Sequence, residues 1–211
     1  MENFEEVIRS PEFRFLIEPD RKKLTVHTGV VQNLSPPLAV LMNNGRMKES
    51  LSGTAAIEDI EEATFIAFRE FGYHGRYKTL SRGDEGNSDD LSADGYAKSI
   101  ETESIEARRW AQFKSIRFTE KAALPSSNPD FLTHAKVYVF GTRYLIDSLR
   151  EKALKSLHRD LCEFQFGSQT VSRILDQLEY AFQNTGRQEP DRYYSLRMMV
   201  IECRMQGKVF D

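Results

Sequence analysis

Four histidines, His27, His74, His134 and His158, and two cysteines, Cys162 and Cys203, are the side chains best suited to hold a metal or activate a nucleophile. Zinc requires such ligands at short spacings, as in CxxC or HExxH, so that one turn or one helix face presents two of them together. No pair of these residues has that spacing. His27 reads as a structural residue at a strand–helix junction; a role as ligand or base would need a geometric partner that the sequence does not name. The cysteines form no disulfide framework and read as reduced, partly buried thiols. No GxSxG, P-loop or dinucleotide fingerprint occurs. Gly83-Asp84-Glu85-Gly86 is too acidic to cradle phosphate, and the carboxylate pairs Glu61-Glu62 and Asp89-Asp90 suit helix capping and a solvated linker. These residues predict no catalytic residue, no metal and no cofactor, and therefore a protein that is not an enzyme.

Composition narrows the class further. The chain has 211 residues, enough for one domain or a domain with a small extension. Fourteen Phe and eight Tyr can fill a sizeable core, each large apolar side chain stabilising by roughly 1.5–3 kcal/mol when buried. A net charge of −3 and a pI of about 5.9 offer no basic surplus for nucleic acid. The acidic start, Met1 to Glu6, has no signal-peptide h-region. No apolar run approaches the ~20 residues of a membrane span. The expectation is a cytoplasmic or nuclear protein, or both, without a membrane, nucleic-acid or small-molecule partner.

The elements follow from spacing. Phe4, Val7 and Ile8 at i, i+3, i+4 predict a short amphipathic helix. Phe13, Phe15 and Ile17 alternate with Arg14, Leu16 and Glu18, as Leu24 and Val26 do with Lys23 and Thr25, and Pro19-Asp20-Arg21-Lys22 between the runs is a turn, so a β-hairpin is predicted. Two short helices split at Ser35-Pro36-Pro37, with Ser35 as N-cap, follow up to Gly45. A third strand over 54–57 leads to a helix carrying Phe65, Ile66, Phe68 and Phe71, capped by Asp59 and ending near Gly72. Residues 78–128 are polar and too long for an ordinary loop, which predicts a largely disordered insert. Within it, Trp110, Phe113 and Ile116 mark one helical island, either a docking segment or a piece packed back on the domain. Asn128-Pro129 reads as the cap of a helix bearing Val137, Phe140 and Tyr144, and Ser148 to Glu151 as a capping box for the next, with Leu149, Ala153, Leu154, Leu157 and Leu161 along one face. A helical pair over 168–207 closes the chain, with stripes Val171, Ile174, Leu175, Leu178, Phe182 and Tyr194, Met198, Ile201, Met205.

This order is similar to the BTB/POZ fold. The resemblance covers 12–77 and 131–161, about half the chain, and makes 1–77 and 129–164 the two halves of one domain around the insert. His27 and Ser35 stand where the family opens its first two helices. Met47-Lys48-Glu49-Ser50 resembles its "F-K-E-S" segment, Phe68 to Tyr77 its "F-L-x-Y-L-Y-T-G-x-Y", and Lys136 to Tyr144 its "x-V-Y-V-L-A-D-K-Y". The long acidic insert looks like the variant common in filamentous fungi. Many members place an Asp in the first strand near a basic residue at the first helix; Arg14 and Thr28 occupy those places here. Losing both sides of a buried pair can be neutral for stability, but it withdraws properties tied to that charged centre, such as corepressor recruitment.

The resemblance implies an α+β fold, a helical cluster flanked by a short three-stranded sheet with a C-terminal helical extension. It further implies a protein–protein interaction module that self-associates, with Phe4, Val7 and Ile8 on the dimer face. Met47 and Glu49 are similar to the motif by which some BTB adaptors bind a cullin scaffold. A methionine can fill an apolar groove while the carboxylate accepts hydrogen bonds; the alternative is an exposed loop with a chance glutamate. The function expected is thus substrate adaptor for a cullin-based ubiquitin ligase, or a non-catalytic scaffold or transcription-linked assembly domain without ubiquitin chemistry. An enzyme of unrecognised type is the remote alternative, and a metal or cofactor in purified protein would revive it.

Overall fold

In the computed structural model, residues 4–79, 105–116, 130–163, 176–177, 179–186 and 195–204 are described. The fold is mainly helical with one small mixed sheet. After helix α1 (Phe4–Arg9), strands β1 (Glu12–Ile17) and β2 (Lys22–His27) form an antiparallel hairpin, with Glu12 opposite His27 and Ile17 opposite Lys22. Helices α2 (Thr28–Leu34), α3 (Pro36–Asn43) and α4 (Lys48–Ser52) carry the chain to β3 (Thr54–Ile57), which returns parallel to β1. The strand order is β2-β1-β3. The period of two in β1 buries Phe13, Phe15 and Ile17 on one face and leaves Glu12 and Arg14 exposed. Arg14 therefore sits in water, while Thr28 is buried and its N–H donates to the Pro11 carbonyl at 2.8 Å.

Helix α5 (Glu62–His74) crosses behind the sheet and is followed by α7 (Phe131–Arg143) and α8 (Asp147–Glu163), which pack on each other. Rings run through the core in sequence. Phe15 lies 5.1 Å from Phe65, Phe65 5.5 Å from Phe68, Phe68 4.9 Å from Phe140, and Phe140 4.6 Å from Tyr144. Two glycines permit the close approach of helices. A Cβ on Gly72 would lie 2.4 Å from Val30 Cγ1, and one on Gly141 3.1 Å from the Arg150 nitrogen. Gly141 thus has the packing reason that its cost in a helix interior demands, whereas Gly72 sits inside α5, which runs on to His74 and stops at Gly75.

Several local signals fall differently from expectation. Asp59 does not cap α5: it adopts φ 58°, and Glu61 takes the N-cap place without a side-chain bond. Asp130 caps α7 by accepting from the Thr133 N–H at 3.1 Å; Asn128 and Pro129 lie outside the described residues. Ser148 falls inside α8, whose first turn holds Asp147 paired to Arg150 at 3.3 Å. The α8 stripe itself is buried throughout.

Of the insert expected over 78–128, residues 80–104 and 117–128 lie outside the described residues. Between them α6 (Ile105–Lys114) forms, with Phe113 buried and Ile116 against the core. The packed-back reading of the island therefore holds for Phe113; the Trp110 side chain lies outside the described residues. Toward the C-terminus a helix over 179–184 (α9) and α10 (Leu196–Arg204) are formed. Their buried faces are not the expected stripes. Phe182 and Met198 are exposed, while Ala181, Leu196, Met199 and Val200 are buried; Val171, Ile174, Leu175, Leu178, Tyr194 and Met205 lie outside the described residues or faces. In α10 the inward face runs through Leu196, Met199 and Val200, while Met198 of the expected stripe faces outward.

Candidate functional site

Met47 and Glu49 sit at the start of a helix, not in a loop. After α3, Gly45 turns the chain at φ 67°, and Met47 takes extended geometry as the N-cap of α4. Its carbonyl accepts from the Leu51 N–H at 3.1 Å and the Ser50 hydroxyl at 2.9 Å. The far end closes at Gly53, whose φ of 63° is a conformation costly for a residue with a Cβ. The Gly53 carbonyl then accepts from the Arg14 N–H at 3.0 Å, which fixes α4 to β1. On this braced turn Met47 is 39% exposed and Leu51 72%, and Val40 on the adjoining α3 is 56% exposed. The half-buried Glu49 carboxylate has no partner among the described residues. Exposed Met47 and Leu51 on the same short helix as an uncommitted carboxylate, held by backbone bonds, suit recognition by a protein groove with a hydrogen-bond donor at its edge.

The residues expected on a dimer face divide. Phe4 and Ile8 point outward from α1 and are exposed, whereas Val7 packs against the core and its backbone closes on Ser10 and Gly29. Val7 anchors the helix; Phe4 and Ile8 present it.

His27 takes the structural place at a strand–helix junction that the sequence suggests, while the partners of His134 and His158 could not be read from spacing. His27 ends β2; its N–H donates to the Tyr73 hydroxyl at 3.1 Å and its Nδ1 lies 2.7 Å from the same oxygen, tying the strand–helix junction to α5. His158 Nε2 lies 2.7 Å from the Phe113 carbonyl and 3.6 Å from the partly buried Cys162 Sγ, which docks α6 on α8. Cys203 lies where no side chain is described.

A buried polar chain is the feature that sequence reasoning missed. Tyr77 Oη is 2.7 Å from His134 Nδ1, His134 Nε2 is 2.9 Å from Asp160 Oδ2, and Arg159 Nε donates to Asp160 Oδ1 at 2.7 Å. Every polar atom is satisfied when Tyr77 donates to Nδ1 and Nε2–H donates to the carboxylate. Tyr77, His134 and Asp160 are all buried, so the chain links the segment after α5 to α7 and α8 rather than addressing a ligand. A signal existed for His134, which occupies an inward position of an otherwise mostly apolar face of α7; Asp160 lies on α8, where Lys152, Ser156 and His158 are buried too.

Burial pushes the Tyr77 phenol far above its usual range, only partly offset by the Ser156 hydroxyl. The folded state therefore keeps this proton where the unfolded state has lost it, and the associated stability, complete below pH ~10, falls as pH rises further. The slope from one retained proton is about 1.4 kcal/mol per pH unit. Half-buried Tyr144 and Tyr180 shift in the same direction, chiefly through burial. Urea unfolding between pH 9 and 11 should show the decline, and Tyr77→Phe should flatten it; an unchanged slope would mean that water reaches the phenol.

The chain matches no protein-family model, no curated protein and no solved structure. No group of three metal-ligating side chains occurs among the described residues, and none of their helices is long and apolar enough to cross a membrane.

Proposed function

We propose that this chain is a protein–protein interaction module of the BTB/POZ type, self-associating through the outward face of α1 and serving as a substrate adaptor for a cullin-based ubiquitin ligase. The observation that carries the reading is the α4 surface: Met47 and Leu51 exposed on a turn bonded to β1, next to the free carboxylate of Glu49. The order of elements supports it, since hairpin, helical pair α2 and α3, parallel third strand and aromatic helix follow one another as that resemblance implies, with the short α4 added before the strand. Exposed Phe4 and Ile8 support the self-association.

Calorimetric titration with the N-terminal helical repeat of a cullin from the same organism tests the adaptor role. The expected result is a micromolar or tighter complex that Glu49→Lys weakens at least tenfold, about 1.4 kcal/mol, with Met47→Ala acting in the same direction. Both variants should melt as the parent does. No heat of binding would leave the scaffold reading, in which the same surface serves another protein and no ubiquitin chemistry is involved. Light scattering at high micromolar concentration tests the dimer, and a strict monomer would remove it.

A further inference from the structure

A cleft of about 740 Å³ opens between the segment after β3, helix α7 and helix α9, away from α4. Its size lies within the ~300–1,000 Å³ of ordinary ligand clefts. The floor is apolar, made by Ile60, Val139 and Phe140, and the ring of Tyr180 forms one wall. Charge is concentrated at the rim. Four carboxylates against two cations give the lining a net charge of −2. Lys136 is already committed, with Nζ 2.5 Å from Glu61 Oε1 and 5.9 Å from the centre of the Tyr180 ring, and Arg143 Nη1 reaches the Glu58 carbonyl oxygen at 3.5 Å. The exposed carboxylates of Glu58 and Asp59 have no partner among the described residues.

An apolar floor below a rim of free carboxylates complements a chain that carries both features in sequence. The Tyr180 hydroxyl and the Asn184 carboxamide oxygen also border the cleft and can bond a peptide backbone. We propose that the cleft binds an extended segment of a partner protein in which an apolar side chain is flanked by Lys or Arg. The apolar residue lies on Val139 and Phe140, and the flanking cations meet Glu58 and Asp59. This rests on the interaction-module reading and deepens it: the chain then has a recruiting surface separate from α4, built jointly by the residues around β3 and α7 and by α9.

The test uses the full chain and a fluorescein-labelled heptapeptide, with one leucine between two pairs of arginines and glycine at each end, read by fluorescence anisotropy. Saturable binding is expected, weakened about tenfold by the double variant Glu58→Gln, Asp59→Asn and weakened again as salt is raised. Both side chains are exposed, and asparagine tolerates the left-handed backbone at position 59, so the variant keeps the fold. The same peptide with glutamate in place of arginine should not bind. Absence of saturation, equal binding of the acidic peptide, or unchanged binding to the double variant each overturns the proposal. Glu49→Lys should bind the peptide as the parent does. A failed cullin titration beside successful peptide binding therefore removes the adaptor reading alone, and the reverse pair removes only the cleft.

Discussion

Asp160→Ala should lower the stability of this domain by about 3–5 kcal/mol, the usual cost of removing one partner from a buried ionic group. Asp160 is 5% exposed and receives the His134 Nε2–H at 2.9 Å and the Arg159 Nε–H at 2.7 Å. Alanine leaves the imidazole N–H with no acceptor in a site that water does not reach, and takes from Arg159 the acceptor of two of its N–H groups. Asp160→Asn should cost less, because the amide oxygen can still accept from one donor. In a chain of this size each kcal/mol shifts the melting temperature by roughly 2–4 °C, so the alanine variant should melt near ten degrees below the parent. Tyr77→Phe, His134→Leu and Asp160→Leu together should recover much of the loss, since replacing all the buried members of a polar group by apolar residues can be neutral. A loss below ~1 kcal/mol for Asp160→Ala would mean that the chain is hydrated and not a tie between helices.

Most of the secondary structure was legible because it rests on periodicity. The alternation in β1 and β2, the Ser35-Pro36 helix start and the α8 stripe all recur as expected; Ser35 accepts from the Leu38 N–H at 3.3 Å. What was not legible depends on tertiary partners. Asp59 has the side chain of a helix cap but stands in a left-handed turn that points it into the cleft. The Ser148 box fails because Gly141 brings the start of α8 against α7, and the Ile146 N–H is taken by the Gly141 carbonyl at 2.8 Å. The candidate site was visible as Met47 and Glu49, but not as a braced turn, because the bond from the Arg14 N–H to the Gly53 carbonyl joins β1 to the end of α4, nearly forty residues later in the chain. Tyr77, His134 and Asp160 come from three separate segments, and no spacing rule reaches across them.

Phe68→Ala should match the loss from Asp160→Ala by a different physical route, and it makes the surface variants interpretable. The ring is fully buried at the crossing of α5 and α7, 5.5 Å from Phe65 and 4.9 Å from Phe140. Truncation removes the transfer energy of the phenyl group and leaves a cavity that rigid aromatic neighbours fill poorly, which together cost about 3–5 kcal/mol. Leucine should restore more than half of this by refilling the volume. Urea midpoints measure the pair, and a loss under ~1 kcal/mol for alanine would show that the sheet and α7 do not share one core through α5. Met47→Ala and Glu49→Lys, at exposed and half-exposed positions, should instead stay within about 0.5 kcal/mol of the parent. Because natural domains carry only about 5–15 kcal/mol in total, Phe68→Ala should lower cullin binding only through its unfolded fraction, leaving the affinity of the folded part intact. A surface variant should do the opposite, keeping the melt and losing the affinity. The α4 reading requires that crossed pattern; if binding and stability fall together in every variant, the apparent binding site is only the folded domain itself.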